Sequence, residues 1–356
     1  MTEDEEGYLY PRVDKNQCIG CGRCKTVCPL INGRVDNAEA MQTSYAAYNN
    51  DLSVREQSSS GGLFSLFAET ILQRGGAVVG AAMSEDSYSV SHIVIRSPEE
   101  IQKLRGSKYL QSTVGDVFSE VKKILNEGIP VLFTGTPCQI GGLYSYLGKN
   151  YDNLYTQDII CHGVPSPRVW RKYMAFREKK SGGKADNVFF RNKRSGWKKY
   201  SLLVNYSDGT EYINDLHNDP FLKGFIRNLY LRPSCTDCRF KTLYRQSDIT
   251  LADFWGIQNE MPEMDDDRGT SFVWIHSLKG EELFDSVRDR ITFRPIDINI
   301  PLKYNSAAIK SVPDFKKRKA FFRDMDTMDF DAVVKKYTRR SVVRKIKTLI
   351  KKITSR

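Results

Sequence analysis

Apolar and polar positions alternate in short blocks through the middle of this chain. The blocks switch between the two-residue period of a strand and the 3.6-residue period of a helix. Residues 43–48 read as a strand. Residues 62–74 read as a helix, with Leu63, Phe64, Phe67 and Ile71 on one face and Gly75-Gly76 as its stop. Strands follow at 77–82 and 92–96, a helix at 114–126, and a buried strand at 131–134. A helix at 139–147 and a strand at 154–160 complete this half. After Pro167 the pattern predicts a helix at 169–178, strands near 188–191 and 200–204, and a helix near 220–229. Further strands fall at 249–253 and 272–276, and glycine loops at 181–183 and 268–269. Strands interleaved with helices predict an α/β fold built on a mixed sheet. No internal repeat is visible.

The C-terminus has a different pattern. Val342, Ile346, Leu349, Ile350 and Ile353 fall on one helical stripe, with Lys and Arg on the other faces. Residues 331–356 hold ten Lys or Arg and one acid, a local +9. The whole chain carries +11, so 11 minus 9 leaves +2 for everything else. The body therefore lacks a nucleic-acid signature. The tail is expected to be a basic amphipathic helix, suited to an anionic membrane surface or an acidic partner. The alternative is a terminal helix packing its stripe on its own core. The acidic N-terminus has no signal-peptide pattern, and no apolar run is long enough to span a bilayer. The expected location is cytoplasmic, with any membrane contact peripheral and at the inner face.

The 356 residues contain eight cysteines, in two sets of four. Cys18-Ile-Gly-Cys21-Gly-Arg-Cys24-Lys-Thr-Val-Cys28-Pro29 is the bacterial ferredoxin run, with glycines easing the loop around a bulky cluster. The second set is scattered: Cys138, Cys161, and the pair Cys235-Thr-Asp-Cys238. Thiolates in such numbers point to iron–sulfur clusters and electron transfer. Zinc is the alternative, more so for the scattered set, where one C-x2-C pair joins two remote ligands and His162 adjoins Cys161. Disulfides fit poorly with cluster chemistry, which needs a reducing compartment.

Three loops carry candidate binding chemistry. Ser58-Ser-Ser60-Gly61-Gly62 opens a helix, where hydroxyls and amide N–H groups suit an anion such as phosphate, or simply form an N-cap. Arg105-Gly106-Ser107-Lys108-Tyr109-Leu-Gln-Ser112 offers cations, hydroxyls and a ring, suited to a phosphorylated aromatic cofactor. Thr136-Pro-Cys138-Gln139 leaves a buried strand for a helix, where α/β proteins usually bind ligands. There is no G-x-G-x-x-G and no Walker loop. His162 and Asp253, the polar residues nearest the cysteine motifs, are weak candidates for a proton relay.

These motifs, with Phe190-Arg-Asn-Lys193, Gly196-Trp197 and Asp248-Ile-Thr-Leu-Ala-Asp-Phe-Trp255, resemble the family of coenzyme F420 hydrogenase/dehydrogenase beta subunits, from about Cys18 to about Ser277. The resemblance implies a flavin-binding α/β body that carries FAD beside a [4Fe-4S] cluster. Such a protein passes electrons between clusters and a two-electron substrate at the flavin, such as coenzyme F420. It implies that Cys138, Cys161, Cys235 and Cys238 hold the flavin-proximal cluster and that the loops at 58–62 and 106–109 embrace FAD. Bacterial relatives with a ferredoxin-like start often accompany polysaccharide-synthesis genes. The expected partner is a redox protein or a small-molecule acceptor. Alternatives are a non-catalytic electron-transfer subunit and a degenerate scaffold.

Two departures stand out. Ala252 replaces the family's usual glycine. Relatives commonly have two ferredoxin runs separated by a Glu-Gly-Tyr-Leu-Tyr-Pro-like segment, whereas this chain starts at that segment. The expectation is half of a two-cluster ferredoxin domain, in which Cys28 either ligates nothing or closes a single site. The expected domains are residues 1–38 (ferredoxin-type), 39–165 and 166–310 (the two family domains) and 311–356 (basic helical tail).

Overall fold

The computed structural model describes residues 1–32 and 42–339. In chain order the strands are β1 (Thr2–Glu3), β2 (Leu9–Tyr10), β3 (Thr43–Asn49), β4 (Ala77–Met83), β5 (Val90–Ile95), β6 (Ser112–Thr113) and β7 (Val131–Thr134). They continue as β8 (Leu154–Ile159), β9 (Ala185–Asn192), β10 (Ser201–Tyr206), β11 (Glu211–Asp215), β12 (Ile249–Asp253), β13 (Ser271–Ile275) and β14 (Ile291–Pro295). One mixed sheet runs β14-β3-β13-β12-β8-β7-β4-β5-β6. Its centre, β12-β8-β7-β4, is parallel, and β13, β3, β14 and β5 join antiparallel. Val131, Leu132 and Phe133 are wholly buried because a central parallel strand is covered on both faces.

Helices Leu63–Gln73 and Leu278–Asp285 pack on one face of this sheet, and Val117–Asn126 and Pro137–Leu147 on the other. A second unit is the antiparallel meander β9-β10-β11, packed on helix Pro167–Ser181. Helices Pro220–Ile226, Arg318–Thr327 and Phe330–Thr338 share that core. The large sheet draws strands from both sides of residue 165, so the expected boundary at 165/166 does not divide it. The boundary at 38/39 lies outside the described residues.

The expected helix at 62–74 forms at 63–73, and two glycines explain its entry. Gly62 is its N-cap at φ 84°, a left-handed conformation that costs glycine little. A Cβ on Gly61 would lie 2.5 Å from the Ala47 carbonyl oxygen and 2.9 Å from Ser271 Oγ. Gly61→Ala should therefore destabilise the fold by ~1–3 kcal/mol through overpacking, read from a urea unfolding midpoint.

The N-terminal segment is anchored and not a free linker. Tyr8 is wholly buried and donates to the Tyr230 carbonyl at 2.7 Å. Glu6 pairs with Arg318. At the other end, helix Phe330–Thr338 buries Phe330, Val333 and Val334. The first turns of the basic tail thus pack on the core. The apolar stripe at 342, 346, 349, 350 and 353 lies outside the described residues. Among the described residues no helix is long and apolar enough to cross a membrane.

Candidate functional site

The two parallel strands β7 and β8 end side by side, and each delivers a cysteine just beyond its carboxyl end. β7 leads through Thr136, which caps the next helix in a box with Gln139, to Cys138 at that helix's second position. Thr136 Oγ1 lies 3.1 Å from Cys138 Sγ. β8 ends at Ile159, two residues before Cys161. Cys235 and Cys238 come from the 3-10 turn Pro233–Asp237 and its exit. Ser311 Oγ accepts from the Cys238 N–H at 2.9 Å.

These four thiols act on one another electrostatically. Desolvation pushes the Cys161 thiol well up, Cys138, Cys235 and Cys238 push it further, and the Lys241 ammonium opposes them. All eight cysteines are unbridged. Among the described residues no group of three or more His, Cys, Asp or Glu converges closely enough to hold a single metal ion.

Cys18, Cys21 and Cys24 are exposed and Cys28 is half-buried. Gly20 and Gly22 both take φ 71°, and helix Arg23–Thr26 carries the chain past Cys24. A second short helix, Pro29–Asn32, leaves Cys28 and meets the body. Pro29, Leu30, Pro137, Arg239 and Arg245 line one cavity of about 160 Å³ there. Arg239 donates to the Leu30 carbonyl at 2.9 Å. Pro29, Pro137 and Arg239, which line the cavity, are the chain neighbours of Cys28, Cys138 and Cys238.

The loops expected to bind a cofactor also meet. Ser107 donates from both its N–H (2.7 Å) and its hydroxyl (2.9 Å) to Ser59 Oγ. Ser58 donates to Val54 and Ser60 to Thr270, both to carbonyls, while Gly61 N–H donates to Ser271 Oγ. Gly106 at φ 84° faces open space. Lys108 Nζ donates to the carbonyls of Lys103 and Arg105, and desolvation brings its pKa down to about 7. Tyr109 stacks on Phe225 at 4.6 Å. His162, next to Cys161, meets the same Phe225 edge-on at 5.1 Å. An unbroken aromatic contact thus leads from the second cysteine set to the loop at 106–109. The Thr136 and Gln139 side chains are taken up by the capping box.

The two weak relay candidates have structural partners. Asp253 accepts two hydrogen bonds from Arg191 at 2.9 Å each, and a third from Trp197 Nε1 at 2.7 Å. His162 Nε2 pairs with Asn228 Oδ1 at 2.7 Å, and burial lowers its pKa.

Several residues gave no separate signal in the sequence. Arg191 and Lys193 stood in a motif without a role. Lys193 Nζ ties together the carbonyls of Arg55, Ser60 and Arg268 at 2.7–2.8 Å, fastening the loop at 58–62. Gln157 is 5% exposed, and among the described residues its Oε1 has no hydrogen-bond partner, nor has Gln111 Oε1. Gln157 pairs in register with Thr134 at the carboxyl edge of the sheet. A polar residue inside an otherwise buried strand was its only trace.

The fold and site define a mixed α/β protein that carries Cys138 and Cys161 just beyond the carboxyl ends of two adjacent parallel strands. Residues 44–119 match the N-terminal and 130–299 the C-terminal region of the coenzyme F420 hydrogenase/dehydrogenase beta subunit, and residues 10–38 match a 4Fe-4S binding domain. The chain belongs to the family of coenzyme F420 hydrogenase/dehydrogenase beta subunits. It is 24% identical over 125 residues to a subunit of the F(420)H(2) dehydrogenase of Methanosarcina mazei, a match covering 34% of each chain. It is 26% identical over 145 residues to the coenzyme F420-dependent sulfite reductase of Methanocaldococcus jannaschii, covering 40% of this chain and 22% of that one. The matches thus span about a third and about a fifth of these relatives' lengths. The fold is similar to a chain of the F420-reducing [NiFe] hydrogenase complex from Methanosarcina barkeri, with TM-score 0.52, 17% identity, and coverage of 78% of this chain and 92% of that one.

Proposed function

We propose that this chain is an iron–sulfur flavoprotein oxidoreductase that moves electrons between thiolate-held [4Fe-4S] clusters and a two-electron substrate at FAD. One observation carries the reading: the four thiols of the second set act on one another beside an aromatic contact that leads to the loop at 106–109. The helix that leaves the first cysteine set lines a cavity with Pro137 and Arg239, the chain neighbours of Cys138 and Cys238. The second set adjoins the loop at 106–109 through His162, Phe225 and Tyr109. Bound there, FAD would supply the exchange between single electrons and hydride-equivalent pairs.

The residues present fit both groups. Four thiols from the two strand exits and the turn at 233–237, with Lys241 among them, suit an anionic cluster. For FAD, the N-terminus of helix Leu63–Gln73 and the Arg105 guanidinium suit phosphates, with the serines at 58–60 and Lys108 bracing the loops around them. The unpartnered oxygens of Gln157 and Gln111 offer buried acceptors for a ring N–H. In this scheme Lys193 positions the loop at 58–62, and Arg191, paired with Asp253, holds the Ser59 carbonyl at 3.4 Å.

Coenzyme F420 is the substrate class supported by the two curated relatives, whose names carry it. The alternative, an electron-transfer subunit that needs a partner for chemistry, is favoured by the structural relative's place in a hydrogenase complex. Reduction of a small acceptor by the isolated chain separates the two. The deciding experiment is anaerobic reconstitution with iron, sulfide and flavin counted per chain. About eight irons and one FAD support the proposal, about four irons restrict it to one complete set, and zinc without flavin overturns it.

The first cysteine set has little core of its own. Residues 11–20 are all exposed, Ile19 by 88%. Ligation must therefore supply its order. Chelating the iron should open this segment to trypsin at Arg12, Lys15, Arg23 and Lys25 while the body stays intact, as checked by mass spectrometry of the fragments.

A further inference from the structure

Lys241 lies three residues beyond Cys238, and its N–H donates to the Cys238 carbonyl at 3.3 Å. Its Nζ donates to the carbonyl of His162, the residue after Cys161, and to that of Lys310, both at 3.1 Å. The side chain is thus strapped between the two loops that carry Cys161 and Cys238. Only two of its three ammonium protons are committed among the described residues. Burial lowers its pKa, with a smaller contribution from Arg245, while Cys161, Cys238 and Cys235 act in the opposite sense and favour its charge. Arg245 is itself neutralised by Asp158 at 3.3 Å, with both side chains 1% exposed. Two cations act on these thiols without a carboxylate partner among the described residues: Arg232, on Cys235, and Lys241, on both Cys161 and Cys235, and of the two it is Lys241 that is strapped between the cysteine loops.

We propose that Lys241 sets the reduction potential of the cluster held by Cys138, Cys161, Cys235 and Cys238. The inference rests on the cluster reading above. A cluster gains one negative charge when it accepts one electron. A fixed cation nearby stabilises that reduced form more than the oxidised one, and the preference strengthens where protein replaces water. Two carbonyls hold the ammonium in place, so it need not reorganise when the electron arrives. Its position also matches direction to function: the cluster nearest the loop at 106–109 would be made the better acceptor. Lys241 acts through the cluster ligands and is a positioning residue, not a catalytic one.

The test compares Lys241→Gln, which keeps a hydrogen-bond donor without the charge, with Lys241→Arg, which keeps the charge. Each is purified anaerobically, iron and sulfide are counted, and the clusters are titrated by electron paramagnetic resonance. Lys241→Gln should shift the reduced-to-oxidised ratio of one cluster about tenfold toward oxidised at fixed potential. That equals a midpoint about 59 mV more negative for a one-electron couple. Lys241→Arg should stay within about twofold of the unaltered chain, and the N-terminal cluster should not move in either variant. An unchanged midpoint in Lys241→Gln overturns the proposal. So does equal iron loss in both variants, which would make the lysine a strut. Failure of the cluster reading would show earlier and separately, as an unaltered chain whose second cysteine set holds no iron.

Discussion

Cys161→Ser, reconstituted anaerobically, should bind about four fewer irons per chain than the unaltered protein, while Cys18→Ser leaves the second set's iron in place. Cys161 is the thiol on which Cys138, Cys235, Cys238 and Lys241 all act. A serine oxygen is a poorer ligand for iron than a thiolate, and the three remaining thiols must then hold the core alone. Loss of this cluster should also stop electrons moving from the N-terminal set to any bound flavin. The flavin would still be reduced by a chemical reductant, which separates a broken path from a lost cofactor. Iron unchanged in Cys161→Ser would remove the second set from the scheme and return the scattered cysteines to a structural role.

Asp253→Ala should cost ~3–5 kcal/mol of stability, because it leaves the Arg191 guanidinium buried without its counter-charge. The side chains are 5% and 17% exposed, so solvent does little to screen the pair. Arg191 also packs over the Tyr200 ring at 3.9 Å, and Trp197 Nε1 would lose its acceptor. The pair joins β9 of the meander to β12 of the large sheet, so the loss should loosen one unit against the other. Urea unfolding of Asp253→Ala beside the double variant Asp253→Ala/Arg191→Met measures it. The double variant should recover part of the loss, since two apolar groups leave no orphaned charge. A single variant within about 0.5 kcal/mol of the unaltered chain would mean that water already reaches Arg191.

Strand and helix identity were legible where the period was long and clean. The strand at 131–134 and the helix at 139–147 appear almost where the pattern put them, the helix starting two residues earlier at Pro137 because proline suits a first turn. β11 and β14 escaped notice. β11 is only half-buried and β14 is an edge strand, so neither needs a strong apolar alternation. The helices Leu278–Asp285 and Asn299–Tyr304 were missed for a similar reason: they are short, and their apolar positions face cores assembled from distant parts of the chain. Tyr8 shows the same limit. Nothing local marks it for burial, yet its hydroxyl closes on the Tyr230 carbonyl, 222 residues away in sequence.

The sequence by itself determined the donor chemistry. Eight thiols in two sets, one in the ferredoxin spacing, were set by residue type and separation alone, because the first four ligands lie within one short loop. Tertiary structure decided how the parts of the site meet. Cys138, Cys161, Cys235 and Cys238 come from distant parts of the chain, and only the adjacency of parallel β7 and β8 and the return of the turn at 233–237 bring them into one electrostatic neighbourhood. The same is true of Phe225 between His162 and Tyr109, and of Lys241 between two cysteine loops. Asp253, readable in sequence as a possible relay, became the buried partner of Arg191, because a charge enclosed by protein is held by whichever counter-charge the fold brings within reach.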